Sequence, residues 1–366
     1  HVFRAGTIGT VAEKTAYGYV KKYMAEREME VGRAEENRLV KGCTGIRRNT
    51  GQHPGGIVVV PKEVDIYDFC PVQHPADDPN SEIITTHFEY HSIDENLLKL
   101  DELGHDDPTI IKHMENMTGV VAQDIPLGDP ETMSLFTSNK ALKYVTDEPD
   151  PILGDIGCIA VPEFGTKFVR GMVKETKPTT FDELFCISGL SHGTDVWLGN
   201  AQDLVHDGIP LKECICCRDD IMNYLIGKGV DPKLSFQTME SVRKGKGLKP
   251  EMEEAMKKQD VPDWYIDSCK KIKYMFPKAH AVAYVIMAYR IAWFKVHKPL
   301  AFYSAYFSIR AKAFDASCMV LGDAVCLDKM HELQAKERDK TISAVEKDMM
   351  TTLEVVHEFY HRGCVV

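Results

Sequence analysis

Lys99 and Asp101 stand two apart in Leu97-Leu-Lys-Leu-Asp-Glu-Leu-Gly104, so on a strand they share one face while Leu98 and Leu100 take the other. A carboxylate at a strand end beside a lysine has the chemistry to hold a divalent metal near a phosphate. The same spacing describes an exposed Lys–Asp strand edge, and spacing alone favours that plainer reading. Upstream, Asn49-Thr-Gly-Gln-His53-Pro-Gly55-Gly56 leads into the apolar run Ile57 to Val60. Gly55 and Gly56 would let backbone amides approach a ligand closely, or would simply make a tight turn before a strand. No Gly-Lys-Ser/Thr follows, so this is not a Walker loop.

A second group is cationic. Arg243-Lys244-Gly245-Lys246-Gly247 places three positive charges and two glycines at the end of a helical pattern, suited to phosphate or to a solvated helix C-terminus. Lys270-Lys271-x-Lys273-Tyr274-Met-Phe276-Pro-Lys278-Ala-His280 adds charge, two aromatic rings and a histidine just before a helix, where a triphosphate and a base would be favoured. It opens a longer window, Ser268 to Ala313, that holds nine Lys and Arg and no Asp or Glu, in a chain of formal net charge −11. Asn37 to Lys62 is a second acid-free window, carrying Arg38, Lys41, Arg47, Arg48 and Lys62. A positive potential interleaved with aromatic rings attracts polyanions, whereas a buried helical hairpin would also dispense with acids. Two such windows favour the anion-binding reading.

Two further patterns are weaker. Gly189-Leu-Ser191-His192-Gly193 matches the G-x-S-x-G elbow of serine hydrolases, but a helical rather than a strand pattern precedes the serine. Cys214, Cys216 and Cys217 cluster downstream of His206 without the second Cys pair that structural zinc usually has.

These groups need elements to carry them. At 366 residues the chain exceeds one typical core, so two domains are expected. Thr10 to Glu30 is helical in pattern; Ile57–Val60, Ile83–Tyr90 and Leu97–Asp101 read as strands between turn residues. After Gly104 strand signals thin out. Helices of ten to eighteen residues are predicted from Phe181, Val196, Arg218, Lys233, Ala279 and Pro299, and the last fifty residues, rich in Glu, Lys and Met, read as solvated helices. The boundary falls near residues 105–118. The fold class expected is therefore α+β, with an α/β part over residues 1–112 and a mainly helical part over 113–366. No run reaches the roughly 20 apolar residues of a membrane span. Eleven scattered cysteines point to reduced thiols in a cytoplasm.

In order along the chain, FRAGTIGTVAEKTAYG from Phe3, TGQHPGGIVVVP from Thr50, LLKLDELGHDDPT from Leu97, PEFGTKFVR from Pro162, ISGLSHGTDVWLGNAQ from Ile187, MESVRKGKG from Met239 and DSCKKIKYMFPKAHAVAY from Asp267 strongly resemble PolC-type, C-family bacterial DNA polymerase III alpha subunits. The resemblance covers nearly the whole chain and weakens after about Ala313. It implies a partial nucleotidyltransferase-like palm with a mixed sheet followed by helical fingers, and template-directed transfer of a deoxynucleotide to a primer 3′-OH with two Mg²⁺ and three palm aspartates. Asp101 matches the third aspartate, a metal ligand, and Lys99 a palm lysine near the nucleotide phosphates. For the nucleotide the resemblance points to His53, Gly55, Gly56, Arg243, Lys244, Lys246, Lys278 and His280, with Tyr274 or Phe276 walling the base. For DNA the candidates are Arg47, Arg48, Lys270, Lys271 and Lys273.

One departure matters. The family's other two palm aspartates form an Asp-x-Asp upstream of the first matching string, and no Asp-x-Asp occurs in this chain. The resemblance therefore implies a palm–fingers fragment that binds primer–template DNA and dNTP but does not polymerise alone. The proofreading exonuclease, phosphoesterase-like domain and thumb would lie upstream, and the regions reaching the sliding clamp and replisome downstream. The expected setting is cytoplasmic, with no membrane partner.

Overall fold

The computed structural model describes residues 3–75, 78–102, 104–146 and 148–364. The chain forms two compact units, His1–His105 and Asp106–Val366. The first holds every strand of the sheet and the second is helical, an α+β fold.

In the first unit, strand β1 (Phe3–Thr10) is followed by helices α1 (Glu13–Glu26) and α2 (Arg33–Cys43), then β2 (Arg47–Val59), β3 (Val72–Gln73), β4 (Ile84–Glu89) and β5 (Leu98–Asp101). The sheet order is β3-β4-β1-β2-β5. It is mixed: β1 runs parallel to β4 and antiparallel to β2, and β2 is antiparallel to β5. The central strand β1 has no clean apolar alternation, which is why pattern alone does not find it. Its Gly6 is required by close approach, since a Cβ there would sit 2.0 Å from the Thr86 carbonyl oxygen.

The segment expected to turn before Ile57 is instead part of the 13-residue strand β2. Gly6 pairs with Gln52 and Arg4 with Ile57, so two steps on β1 face five on β2, and His53-Pro-Gly-Gly56 forms the surplus. A bulge of that kind accommodates a proline that a regular ladder would reject. A small core of Ala5, Val58, Ile66, Cys70, Ile93 and Leu97 backs the sheet, and Val11, Ala16, Val20 and Val40 join α1 to α2.

In the second unit come α3 (Asp106–Thr118), α4 (Pro130–Ser134), α5 (Lys167–Thr176), α6 (Phe181–His192), α7 (Gln202–His206), α8 (Arg218–Gly227), α9 (Pro232–Arg243), α10 (Pro250–Lys258), α11 (Asp263–Lys271), α12 (Lys278–His297), α13 (Pro299–Ala305), α14 (Ala316–Met319), α15 (Asp323–Arg338) and α16 (Ala344–His361). Caps explain several starts. Asp129 precedes Pro130 and accepts the Thr132 N–H at 2.9 Å, and Thr180 with Glu183 forms a reciprocal capping box on α6. The helix predicted from Val196 is broken, because Leu198 and Gly199 leave helical geometry and Gly199 takes φ +67°. Only α7 remains of it. The run from Pro299 is likewise short, ending as α13 at Ala305 before a wider turn through Arg310.

The expectation of solvated C-terminal helices is also corrected. Leu353, Val355, Val356 and Phe359 of α16 are buried, as are Cys326, Met330 and Leu333 of α15. The apolar residues recur at helical spacing, and Thr352, His357 and Glu358 of α16 are buried with them. No helix among the described residues is long and apolar enough to cross a membrane.

Ser191 lies in the last turn of α6, bonding back to the Ser188 carbonyl at 2.9 Å, so it is not on a strand-to-helix elbow. Gly189 of that pattern serves packing, because a Cβ there would meet the Cys216 carbonyl oxygen at 2.4 Å. Cys214, Cys216 and Cys217 are buried, with burial pushing the Cys214 thiol up to about 12. His206 pairs with Glu175 at 3.4 Å instead of joining them. The cysteines are core residues, and none of the eleven is in a disulfide.

Candidate functional site

In the first unit the site is built by β2 and β5. Asp101 pairs in register with Gly56 and Lys99 with Val58, and the Glu102 N–H extends the ladder to the Gly55 carbonyl at 2.8 Å. Lys99 Nζ lies 3.3 Å from Asp101 Oδ1 and 5.1 Å from the centroid of the Tyr90 ring, whose hydroxyl is fixed on the Leu97 carbonyl at 2.8 Å. Lys99 is thus largely covered while Asp101 is half exposed. Gly56 permits this: a Cβ there would meet His53 Nδ1 at 2.8 Å and the Lys99 stem at 2.9 Å. His53 Nδ1 accepts the Gly55 N–H at 3.2 Å, so at 3.7 Å from Asp101 it is a neighbour and not a donor. His53, Gly55, Gly56, Lys99 and Asp101 are therefore brought together. Arg47 pairs in register with Thr10 at the far end of β2, and the Arg48 guanidinium stacks 5.3 Å from the Tyr19 ring.

In the second unit a strap from Ile272 to Pro277 is sewn between helices. The Thr194 N–H donates to the Tyr274 carbonyl at 2.9 Å, the Lys273 N–H to Thr194 at 3.0 Å, and the Arg218 N–H to the Phe276 carbonyl at 3.0 Å. Gly245, with φ +68°, lets the turn after α9 rest on the strap, since a Cβ there would lie 2.5 Å from the Lys273 carbonyl oxygen. Tyr274 and Phe276 of this strap and His280 and Tyr284 of α12 form an aromatic row, with successive ring centroids 5.5, 4.7 and 4.3 Å apart. His192 joins the row, 5.4 Å from Phe276. His280 and Tyr284 stand one turn apart on α12, and nothing local in the sequence brings His192 from α6 to the row.

Several of the cations around the row are held by acids. Arg243 and Lys244 share Glu240, with Arg243 Nη2 at 2.9 Å and Lys244 Nζ at 2.9 Å. The Arg243 hydrogen bonds, opposed by burial, bring the Glu240 carboxyl down from 4.5 to about 2. A carboxyl depressed in the folded state contributes stability above its unfolded pKa and loses it as pH falls. Stability from this clasp is accordingly present above pH 4.5 and is lost as the pH falls toward about 2. Acid unfolding monitored by circular dichroism is expected to show that dependence, and Glu240→Gln to flatten it in this window.

Lys278 donates its backbone N–H to Asp219 Oδ2 at 2.6 Å, so an internal carboxylate already answers part of the α12 N-terminus. Its side chain lies 3.9 Å from Asp220 and 4.8 Å from the Phe185 centroid. Lys270 pairs with Glu253 at 3.0 Å and Lys271 donates to the Gly199 carbonyl at 2.9 Å. Lys246 and Lys273 make no ion pair among the described residues. The turn after α9 that carries Arg243 and Lys244, the strap with Tyr274 and Phe276, and the start of α12 with Lys278 and His280 are thus neighbours, the Met275 N–H reaching the Arg243 carbonyl at 3.4 Å. Farther along, the acid-free window becomes buried hairpin: Tyr289, Phe294, Lys295, Phe302 and Tyr303 are all inside.

The sequence profile of the bacterial DNA polymerase III alpha NTPase domain matches residues 5–104, and that of the bacterial DNA polymerase III alpha subunit finger domain matches residues 107–260. The chain is 60% identical over 364 residues to a DNA polymerase III PolC-type from Caldanaerobacter subterraneus, 58% over 368 residues to one from Bacillus subtilis, and 57% over 363 residues to one from Staphylococcus aureus. These alignments take in 99% of this chain and 25–26% of each relative, so the chain spans about a quarter of their length. On this agreement, carried through both the sheet-bearing and the helical unit, the chain belongs to the PolC-type DNA polymerase III family.

Proposed function

We propose that this chain carries the later palm, residues 1–112, and the fingers, residues 113–366, of a replicative DNA-directed DNA polymerase of the cytoplasm. The reaction is transfer of a deoxynucleotide from dNTP to a primer 3′-OH on a DNA template. The observation that carries the reading is Asp101: an exposed carboxylate at the end of β5, beside the covered Lys99, in a unit matching the family's NTPase domain.

Two Mg²⁺ would supply the activated primer hydroxyl and neutralise the triphosphate. The residues present fit only part of that requirement. Mg²⁺ wants hard oxygen donors in octahedral array, and Asp101 is a single carboxylate with Lys99 and His53 as its close neighbours. It suits one shared ligand and not a two-metal site, so this chain alone is proposed not to polymerise. The other two carboxylates, the sliding clamp and the rest of the replisome belong to other parts of the complete enzyme and its assembly. Lys99 would answer phosphate charge, and His53, Gly55 and Gly56 shape the surface beside it. In the helical unit, Arg243, Lys244, Lys246, Lys278 and His280 are proposed to face the triphosphate, and Tyr274 or Phe276 the base.

A second reading, a nucleic-acid-binding module, holds for the isolated chain together with the first. Arg47, Arg48, Lys270, Lys271 and Lys273 are its proposed phosphate contacts. If all five engage, log–log plots of primer–template affinity against salt should have a slope of about −4.5. Fluorescence anisotropy of a labelled primer–template, titrated over roughly 50 to 200 mM salt, measures it. A slope near zero would move DNA grip to other parts of the polymerase.

A further inference from the structure

We propose that Asp150, His357 and His361 form a site for one zinc-class cation, with Asp323 orienting His357 and the His357 carbonyl orienting His361 from behind. His357 and His361 are four apart on α16 and project from one face, the separation at which two imidazoles on a helix meet one ion. Their Nε2 atoms converge on a single oxygen, Asp150 Oδ2, at 2.9 and 3.8 Å. The three ligand atoms lie within 4.8 Å of one another, and a tetrahedral ion with bonds of about 2.0–2.1 Å would draw the His361 ring inward and open the Asp150–His357 contact.

The support behind the triangle is already in place. Asp323, the first residue of α15, has Oδ1 2.7 Å from His357 Nδ1, while His361 Nδ1 lies 3.1 Å from the His357 carbonyl, with Asp323 Oδ2 farther off at 3.8 Å. A carboxylate behind a ligating imidazole fixes its tautomer and raises its basicity. Asp150 is anchored independently, its Oδ1 accepting the Ile152 and Leu153 N–H groups at 2.8 and 2.9 Å, which leaves Oδ2 for the rings. His357 is buried, and His361 and Asp150 line an open pocket with Tyr144, Lys174 and Asp155, so the fourth position faces solvent.

A plain ion-pair clamp explains this geometry less well. One protonated His357 bridging Asp150 and Asp323 would complete such a clamp, and it would leave unused the His361 imidazole, whose Nδ1 is bonded to the His357 carbonyl and whose Nε2 faces Asp150 Oδ2 at 3.8 Å. A cation uses both. On binding, His357 Nε2 loses its proton to solvent and its lone pair binds the ion. Imidazole donors select zinc-like ions over hard Mg²⁺, so this site is separate from any ions of nucleotide transfer. Its role would be to pin α15 and α16 to the Asp150 segment.

The test is titration of the chelator-stripped chain with Co²⁺ and then Zn²⁺, followed by visible absorption. One equivalent of Co²⁺ is expected to give the d–d bands of a four-coordinate ion without sulfur charge transfer, and one equivalent of Zn²⁺ to displace it. His361→Ala, at a partly exposed position, should abolish the bands, and Asp323→Asn should weaken affinity about 10- to 100-fold. Circular dichroism identifies a variant that fails to fold, and Asp150→Asn, which keeps the Oδ1 acceptor, then serves in its place. Less than one equivalent bound, sulfur charge transfer placing the ion on cysteines, or bands unchanged in a folded His361→Ala or Asp150→Asn chain would each overturn the site.

Discussion

Asp101→Asn, made in the complete polymerase, is expected to lower nucleotide incorporation by about 10³-fold or more while leaving primer–template affinity and its salt slope unchanged. The substitution keeps the size of the side chain and one oxygen but removes the charge that a divalent ion requires. Loss of one anionic ligand costs several kcal/mol of charge stabilisation in the transition state, and each 1.4 kcal/mol is about tenfold in rate. The fold should not suffer. Asp101 is half exposed, its ladder contacts with Gly56 are made by backbone, and its one close ion pair is with Lys99. Single-turnover incorporation at saturating dNTP, with anisotropy on the same DNA, separates chemistry from binding. Incorporation within about tenfold of the parent enzyme would remove Asp101 from the metal site. Lys99→Met is the companion: it should raise the dNTP concentration needed for half-maximal rate, since a lysine acts on phosphate as a point charge.

What could be read in the sequence and what could not divides along physical lines. Elements with a clear local period were legible: α1, α6, α8, α9 and α12 begin within about three residues of where apolar spacing and caps put them. The strands β4 and β5, which carry their own alternation, were equally plain. β1 was not, because FRAGTIGT is selected by close approach to β4 at Gly6 and not by an apolar face. The bulge at His53–Gly56 read as a turn because Pro and Gly mark both, and only register distinguishes them. The Lys99–Asp101 pair was visible in strand alternation, yet nothing local indicated that Tyr90 would cover the lysine. In the helical unit, the cations were legible as a cluster, but their acidic partners Glu240, Glu253 and Asp220 come from the preceding turn or from other elements. The four-residue spacing of His357 and His361 was present in the sequence, whereas Asp150 and Asp323 reach them only through the fold.

Lys295 is the extreme case, a cation in the acid-free window whose counter-ion lies 63 positions away, and its removal should have the largest effect on stability. Both Lys295 and Glu358 are completely buried, with Nζ 2.8 Å from Oε1. Nζ also donates to the carbonyls of Gly157 and Ile159 at 2.8 and 2.6 Å, while Tyr303 and Tyr144 donate to Glu358 at 2.7 and 3.3 Å. Burial lowers the Lys295 pKa and the Glu358 charge opposes that fall, as expected for a charge kept indoors by its partner. Lys295→Met fills the space but strands a carboxylate and two carbonyls, at a cost of about 3–5 kcal/mol. Chemical denaturation of the chain measures it. Two further readings identify the cause. Uncompensated, Glu358 should take a raised pKa in the folded variant, so the deficit should shrink as pH falls and the carboxyl binds a proton. Lys295→Met combined with Glu358→Leu should be more stable than Lys295→Met alone, because removing both charges ends the desolvation penalty even though Tyr303 and Tyr144 lose an acceptor. A deficit independent of pH and undiminished in the double variant would assign the loss to packing around α12, α13 and α16 and not to the buried charge.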